Sequence, residues 1–278
     1  MKVSEIHYYP IKSCAGTLLT QAHIGKYGIE HDRDLMITDE NAKFLTQREH
    51  AKMALIKPTR LQNEIQLAAP GMSSLSIPIL QDGKPRVGQV WKHTVSVVDQ
   101  GDRVAEWLSA FLGTSVRLMG RASDFVRKLN PQYAPRETDT TAFADGYPLL
   151  IISEASLDDL NTRLIEKGAE PVPMNRFRPN IVVSDCAAFA EDALQPMRVG
   201  EVVLHAVKLC PRCPVPTIDQ ATAERTVGSG GKEPIKTLNT YRRTADGDVM
   251  FGNNLVHANE GVIRVGDAIA LLGEPVLR

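Results

Sequence analysis

The chain has little cysteine, few aromatic residues, almost no net charge and no long apolar run. Each shortage removes a class of protein. The four cysteines among 278 residues, Cys14, Cys186, Cys210 and Cys213, make no disulfide framework, so a reducing compartment is expected. A structural zinc site needs two close Cys pairs, or one pair with two spaced histidines. Cys14 and Cys186 stand alone, and no such histidine pair occurs. A net charge of −1 and a pI near 6.7 argue against a general binder of nucleic acid or membrane surfaces. No stretch reaches the ~18 apolar residues of a membrane span. The start, Met1-Lys2-Val3-Ser4-Glu5-Ile6, enters a strand-like pattern at once, with no signal or transit segment. The expected setting is a soluble, cytoplasmic protein. Gly228-Ser229-Gly230-Gly231 reads as a mobile loop; no Gly-Lys-Ser/Thr follows it as in a phosphate loop, and no dinucleotide-binding glycine fingerprint occurs.

What is present concentrates in one stiff loop. Residues 208–222 hold Cys210, Arg212 and Cys213 among Pro211, Pro214 and Pro216. Each proline fixes its own φ and restricts the residue before it, so the stretch is no helix and a poor central strand. Residues 202–207 before it read as a strand, and rigid loops on strand scaffolds commonly carry chemistry. A redox dithiol would need the pair at a helix N-terminus, and Pro-Val-Pro after Cys213 starts no helix. A single soft metal ligand beside cations, and two ordinary thiols, both stay open.

Elsewhere the chain reads as short strands with few helices. Residues 3–9 form a first strand that Pro10 stops, leaving Lys12 and Ser13 on a loop suited to an anion or to a solvated turn. Arg33 precedes a strand over 35–38 and stands beside two acids, so a local ion pair competes with an anion-binding role. Residues 43–47 return as the second arm of a hairpin, and strands follow at 54–56, 64–68, 74–79 and 90–98. From Asp102, helical spacing of Val104, Trp107, Leu108 and Phe111 runs to Gly113, and a strand follows over 116–119. A charged, weakly periodic break over 120–140 divides the chain into 1–122 and 123–278. Beyond it come a strand over 147–152, then a helix capped by Ser153 or Ser156. Its apolar face is Leu157, Leu160, Leu164 and Ile165. Arg178, held extended before Pro179, meets a strand over 181–183 and is placed to grip a phosphate. Pro234 opens a short helix with Ile235, Leu238 and Tyr241 on one side. This pattern implies an α+β, mostly β chain with barrels or sandwiches in both halves.

Read together, several segments resemble the MOSC family, in the branch of the mitochondrial amidoxime reducing component and its bacterial relatives. Tyr9-Pro10-Ile11-Lys12-Ser13-Cys14 is similar to one family segment, and Asp32-Arg33 with Thr46-Gln47-Arg48-Glu49 to the hairpin of its N-terminal β-barrel. Tyr147-Pro148 with residues 152–161, then Phe177-Arg178-Pro179-Asn180-Ile181-Val182, and finally Arg212-Cys213 with residues 215–222, continue the match in order. The resemblance implies an N-terminal β-barrel-like domain over 1–122 and a MOSC β-barrel domain over 123–278. It implies a molybdenum–molybdopterin cofactor with Cys213 as the catalytic metal ligand and Cys210 as a neighbour. Lys12, Ser13, Arg33, Arg178, Tyr147, Asn180, Arg212 and Thr217 would hold the pterin and its phosphate. The implied reaction is reduction of N-hydroxylated compounds, with electrons from a small redox carrier and its NAD(P)H-dependent reductase. A sulfur-transfer or cofactor-handling role for Cys213, and a cofactor-free binding barrel, are the rivals. Tyr147 replaces a small hydroxyl residue, Ile218-Asp219 replaces Val-Asp, and no glycine follows Thr222. No cysteine-rich ferredoxin segment follows Arg278, so the donor is expected to be a separate protein.

Overall fold

A computed structural model describes residues 1–83, 85–194, 196–225 and 230–273. Gly228 and Ser229 of the expected mobile glycine stretch lie outside the described residues. The largest sheet has eight strands. In spatial order they are Ile269–Leu271, Met197–Val199, Val202–Pro211, Met250–His257, Leu149–Ser153, Ile181–Ser184, Lys2–Tyr8 and Thr17–Leu19. All neighbours run antiparallel except Leu149–Ser153 and Ile181–Ser184, which are parallel and joined through the helix Glu154–Glu166. A parallel pair needs such a crossover, because a tight turn can only reverse the chain. The sheet curls around a core that includes Val3, Ile6, Ile24, Ile151, Ile181, Leu204 and Leu255. Its other face meets the helix through Ile152, Leu160, Leu164, Phe177 and Phe251. Residues buried on both sheet faces explain the nearly continuous apolar run of Leu149–Ser153.

The first 29 residues belong to this assembly as much as to the N-terminal half. Lys2–Tyr8 pairs with Ile181–Ser184, and Gln21–Gly25 pairs with Gly261–Arg264. Residues 35–121 build two further sheets. One orders Leu35–Thr38, Arg117–Arg121, His93–Asp99 and Pro85–Val90; the other is the meander Lys57–Leu61, Glu64–Ala68 and Leu75–Pro78. Between them the helix Asp102–Leu112 buries Val104 and Leu108 in one apolar cluster shared with Ile37, Ile65 and Leu67. The chain is therefore mostly strand with few helices, as its short apolar runs and Gly/Pro turns imply.

Several local expectations fail. Residues 43–47 form no second hairpin strand and make only single bridges, Phe44 to Thr38 and Lys43 to Gln89. The expected strand at 54–56 is instead a 3₁₀ turn, Ala51–Leu55. Residues 90–98 are split by a turn at Trp91, whose φ of 54° is left-handed. Ile165, placed on the buried helix face, is 60% exposed. The strand at 202 does not stop at 207. It continues through Cys210 to Pro211, with register shifts after Ala206 and Leu209 that absorb the proline. Val215–Thr217 makes one 3₁₀ turn after the cysteines, where no helix of any kind was expected.

Candidate active site

Seven segments distant in sequence converge on one cavity. Lys12, Ser13, Arg33, Tyr147, Arg178, Asn180, Arg212 and Cys213 all line it, with Cys210, Gln47, Asp145 and Asn254. Thr217 is not among these residues. It lies buried behind the cysteine loop, its hydroxyl donating to Pro214 O at 2.8 Å and accepting from Arg225 at 2.9 Å. One wall is the strand pair that sets Leu150 opposite Asn254.

Tyr9 organises the cationic side. It is 2% exposed, its hydroxyl donates to Pro179 O at 3.0 Å, and its backbone N–H donates to Asp32 at 2.8 Å. The guanidinium carbons of Arg33 and Arg178 lie 4.2 and 4.3 Å from its ring centroid. Cation–π contact of this kind holds a guanidinium flat and aims its edge. Gly16 permits the packing: a Cβ there would stand 2.3 Å from the tyrosine ring. Burial pushes the Tyr9 phenol up to about 12, against the pull of Arg178 and Arg33.

Arg33 serves both readings left open by its sequence. It ion-pairs with buried Asp32, and it also donates to Asn180 Oδ1 at 3.1 Å and to Arg178 O at 3.3 Å. Asn180 is fully engaged in return, its amide donating to His7 O and to Asp32, each at 3.2 Å. Its side chain thus holds Arg33 in place. Arg178 is not extended, as the proline after it suggested. Its φ is 56°, and Ser13 and Arg33 share this left-handed geometry at 66° and 51°. Such residues cost about 1–3 kcal/mol each and persist where surrounding structure over-determines them. Here the Tyr9 ring and the Tyr9–Pro179 hydrogen bond do so.

Two cations lack counter-ions among the described residues. Arg178 donates only to Gln220 at 3.4 Å, and its buried Nη2 has no partner. Arg212 donates to Phe177 O at 2.8 Å and to the Cys210 sulfur at 3.2 Å, and its Nε is buried and unpaired. Neither takes part in an ion pair among the described residues. Burial pushes the Arg178 guanidinium below its ordinary value, the mark of a charge removed from water without full compensation. Buried polar groups are rarely left unsatisfied, so these N–H groups point to an anionic ligand.

Lys12 closes the other side. It is 5% exposed and ion-paired to Asp145, with Phe44 and Trp91 ring centroids 5.4 and 5.8 Å from its nitrogen. Burial would raise the Asp145 carboxyl, but Lys12, with Arg48 and Arg33, overrides this and holds it well below the usual carboxylate range. Burial also pushes the Tyr147 phenol up to about 12, with Tyr133 and Cys210 adding to the shift, so it stays a neutral hydrogen-bond donor. The cysteine loop is fixed from behind. Asp219 accepts from the backbone of Ala221 and Thr222 and pairs with Arg176 at 2.8 Å. Gln220 exchanges amide hydrogen bonds of 3.0 Å with Gln47, which also donates to Ser13 O at 2.7 Å. Tyr9, Asp145, Asp219 and Gln220 were not singled out as site residues by sequence. Only Asp219, within the turn-forming run after the cysteines, carried a local signal for its role.

The chemical sum is a half-buried thiol on a strand end, facing a cradle of four cations of which two await an anion. A thiol beside a cationic cradle makes this a cysteine-bearing cavity suited to an anionic ligand. Comparison with known proteins specifies the family. Residues 1–115 match the MOSC N-terminal beta barrel domain, and residues 138–270 match the MOSC domain. The chain is 33% identical over 288 residues to mitochondrial amidoxime-reducing component 1 of Mus musculus, covering 98% of this chain and 82% of that protein. It is 33% identical over 291 residues to mitochondrial amidoxime reducing component 2 of Rattus norvegicus, covering 96% and 82%. It is 31% identical over 288 residues to component 1 of Homo sapiens, covering 98% and 83%. The chain belongs to the MOSC-domain family of amidoxime-reducing components.

Proposed function

We propose that this protein is a molybdenum–molybdopterin-dependent reductase of N-hydroxylated compounds such as amidoximes and hydroxylamines. The observation that carries the reading is the cavity that sets Cys213 among Arg33, Arg178, Arg212 and Lys12, with buried guanidinium N–H groups lacking acceptors. These residues fit the group. Cys213 would supply the soft protein ligand, and Arg178, Arg212, Arg33 and Ser13 would hold the pterin and its phosphate. Tyr147 would donate to its polar edge. Asn180 acts through Arg33, and Thr217 acts through the shape of the cysteine loop. When bound, the group supplies two-electron redox and Lewis-acid chemistry. The overall change is R–NH–OH plus two electrons and two protons giving R–NH₂ and water.

The chain's own contribution is binding, orientation and charge. Tyr9 aims the two arginines, and Asp145 pairs with Lys12 at the cavity wall, opposing the burial that pushes its ammonium below the ordinary value. The electrons would come from a small redox carrier and its NAD(P)H-dependent reductase. In this sequence only four cysteines occur, and assigning Cys213 to the metal leaves too few for a four-thiolate iron–sulfur cluster. A cytoplasmic location fits the four unpaired thiols, and no helix among the described residues is long and apolar enough to cross a membrane.

The test separates the two cysteines. Protein purified from a host that makes the cofactor should contain molybdenum and pterin near one per chain. With reduced viologen as electron source, Cys213→Ala should abolish reduction of benzamidoxime, and Cys210→Ala should keep most of it. Equal loss in both folded variants would indicate a dithiol mechanism. Full molybdenum with no viologen-driven turnover would favour sulfur transfer through Cys213.

A further inference from the structure

A second, larger concavity adjoins the Cys213 cavity and has no role in the reading above. Its volume is about 650 Å³, and Asp145, Gly146 and Tyr147 line both it and that cavity. This volume falls in the range of small-ligand sites. Cations predominate in its lining. Lys43, Arg48, Lys92, Arg127 and Lys128 line it, against Glu49 and an Asp145 already bound to Lys12. The whole chain is near neutral at −1, so this is a local concentration and not a basic protein.

The cations are poorly compensated. Arg127 is 3% exposed, gives its terminal nitrogens to the carbonyls of Ala142, Ala144 and Asp145, and keeps a buried Nε with no partner. Burial pushes its guanidinium down to about 10, although the Asp145 charge opposes this. Among the described residues the Lys128 ammonium pairs only with the exposed Glu137, at 3.5 Å, a contact worth little in water. Arg48 lies over the Trp91 ring at 4.6 Å, and both side chains line the cleft. A concave, cationic surface focuses field and raises the local concentration of anions. An aromatic wall adds affinity for a flat ring.

We propose that this cleft binds the anionic arm of the substrate. The preferred substrates are planar N-hydroxylated compounds carrying a phosphate or a carboxylate, with the N–OH end directed past Tyr147 toward Cys213. The inference rests on the reductase reading, and it specifies which members of that substrate class the site selects.

The experiment uses the cofactor-loaded protein with reduced viologen at low ionic strength. Benzamidoxime is compared with its 4-carboxy and 4-phosphonooxy derivatives, which separate the two kinds of anion. The expected result is a kcat/KM about tenfold higher for at least one anionic compound, carried in KM and lost as salt screens the cleft. The double variant Lys92→Gln, Lys128→Gln should erase that preference and leave the constants for benzamidoxime and the pterin content unchanged. Equal kcat/KM for all three compounds in the native protein would overturn the proposal. So would a preference that survives in the double variant, or loss of pterin from it, which would give these cations to the cofactor. Calorimetric titration with phenyl phosphate and benzoate reads the cleft without turnover. Saturable binding of either, weakened in the double variant, is expected even in a preparation that reduces none of the three compounds; that pattern would fault the reductase reading and not the anion site. Absence of saturable binding of both would overturn the site itself.

Discussion

Arg178 combines a left-handed backbone, an aromatic platform and an unpaired buried Nη2. A group with that arrangement is more useful to a ligand than to the fold. A charge-assisted hydrogen bond contributes about 1.5–3 kcal/mol. Arg178→Ala should therefore weaken pterin retention roughly 10–100-fold, read as pterin per chain after extensive buffer exchange, with the melting temperature of cofactor-free protein nearly unchanged. Arg33→Ala should lose cofactor and stability together, because Asp32 and Asn180 would be left buried without their cation. Full pterin occupancy in Arg178→Ala would make the residue merely structural. Lys12, Arg33, Arg178 and the cysteine loop were picked out through the family-like segments that hold them; their local runs alone left a solvated turn, an ion pair or ordinary thiols open, and Arg178 proved left-handed where the following proline suggested extended backbone. Tyr9 was read as a strand end and as the start of a family-like segment but given no role in the site, since its two arginine contacts come from residues 33 and 178. Asp145 was missed for the same reason: its partner Lys12 lies 133 positions away.

At the scale of elements, sequence reading succeeded where periodicity and capping act locally. The strand Glu64–Ala68 has the alternating burial its residues imply. It failed where tertiary pairing overrides propensity. Met53 and Ala54 are buried by a 3₁₀ turn and not by a strand, and the sheet pairs Leu209 and Pro211 with Asn253 and Met250, carrying Cys210 between them, despite the proline. The helix that joins the parallel strands shows which of two caps was right. Ser153 Oγ accepts from the Ser156 backbone at 3.1 Å and meets its hydroxyl at 2.7 Å, and both serines are buried. Ser153→Ala should destabilise the protein by about 1–2 kcal/mol in urea unfolding. A change within experimental error would mean that Ser156 serves as a substitute cap.

On the scale of the whole molecule, the cavity lies where the two halves of the sequence meet. Lys12 pairs with Asp145, Arg33 with Asn180, and Gln47 with Gln220, so each of these contacts ties residues of the first fifty to residues beyond 140. A ligand held by Arg33, Ser13, Arg178 and Cys213 would add to the same seam. Ligand that binds only the folded chain stabilises it by about 4 kcal/mol at a thousandfold excess over Kd. The loaded protein should therefore melt roughly 5–10 °C above protein from a host unable to make the cofactor. The difference should shrink in Arg178→Ala even when both samples are compared at equal protein concentration. The size of the shift also locates the group. A cofactor gripped by one half alone would protect only that half, and calorimetry would then resolve two transitions, one of them unmoved. A single transition that moves as a unit is the expected outcome, because the cradle is assembled from both ends of the chain.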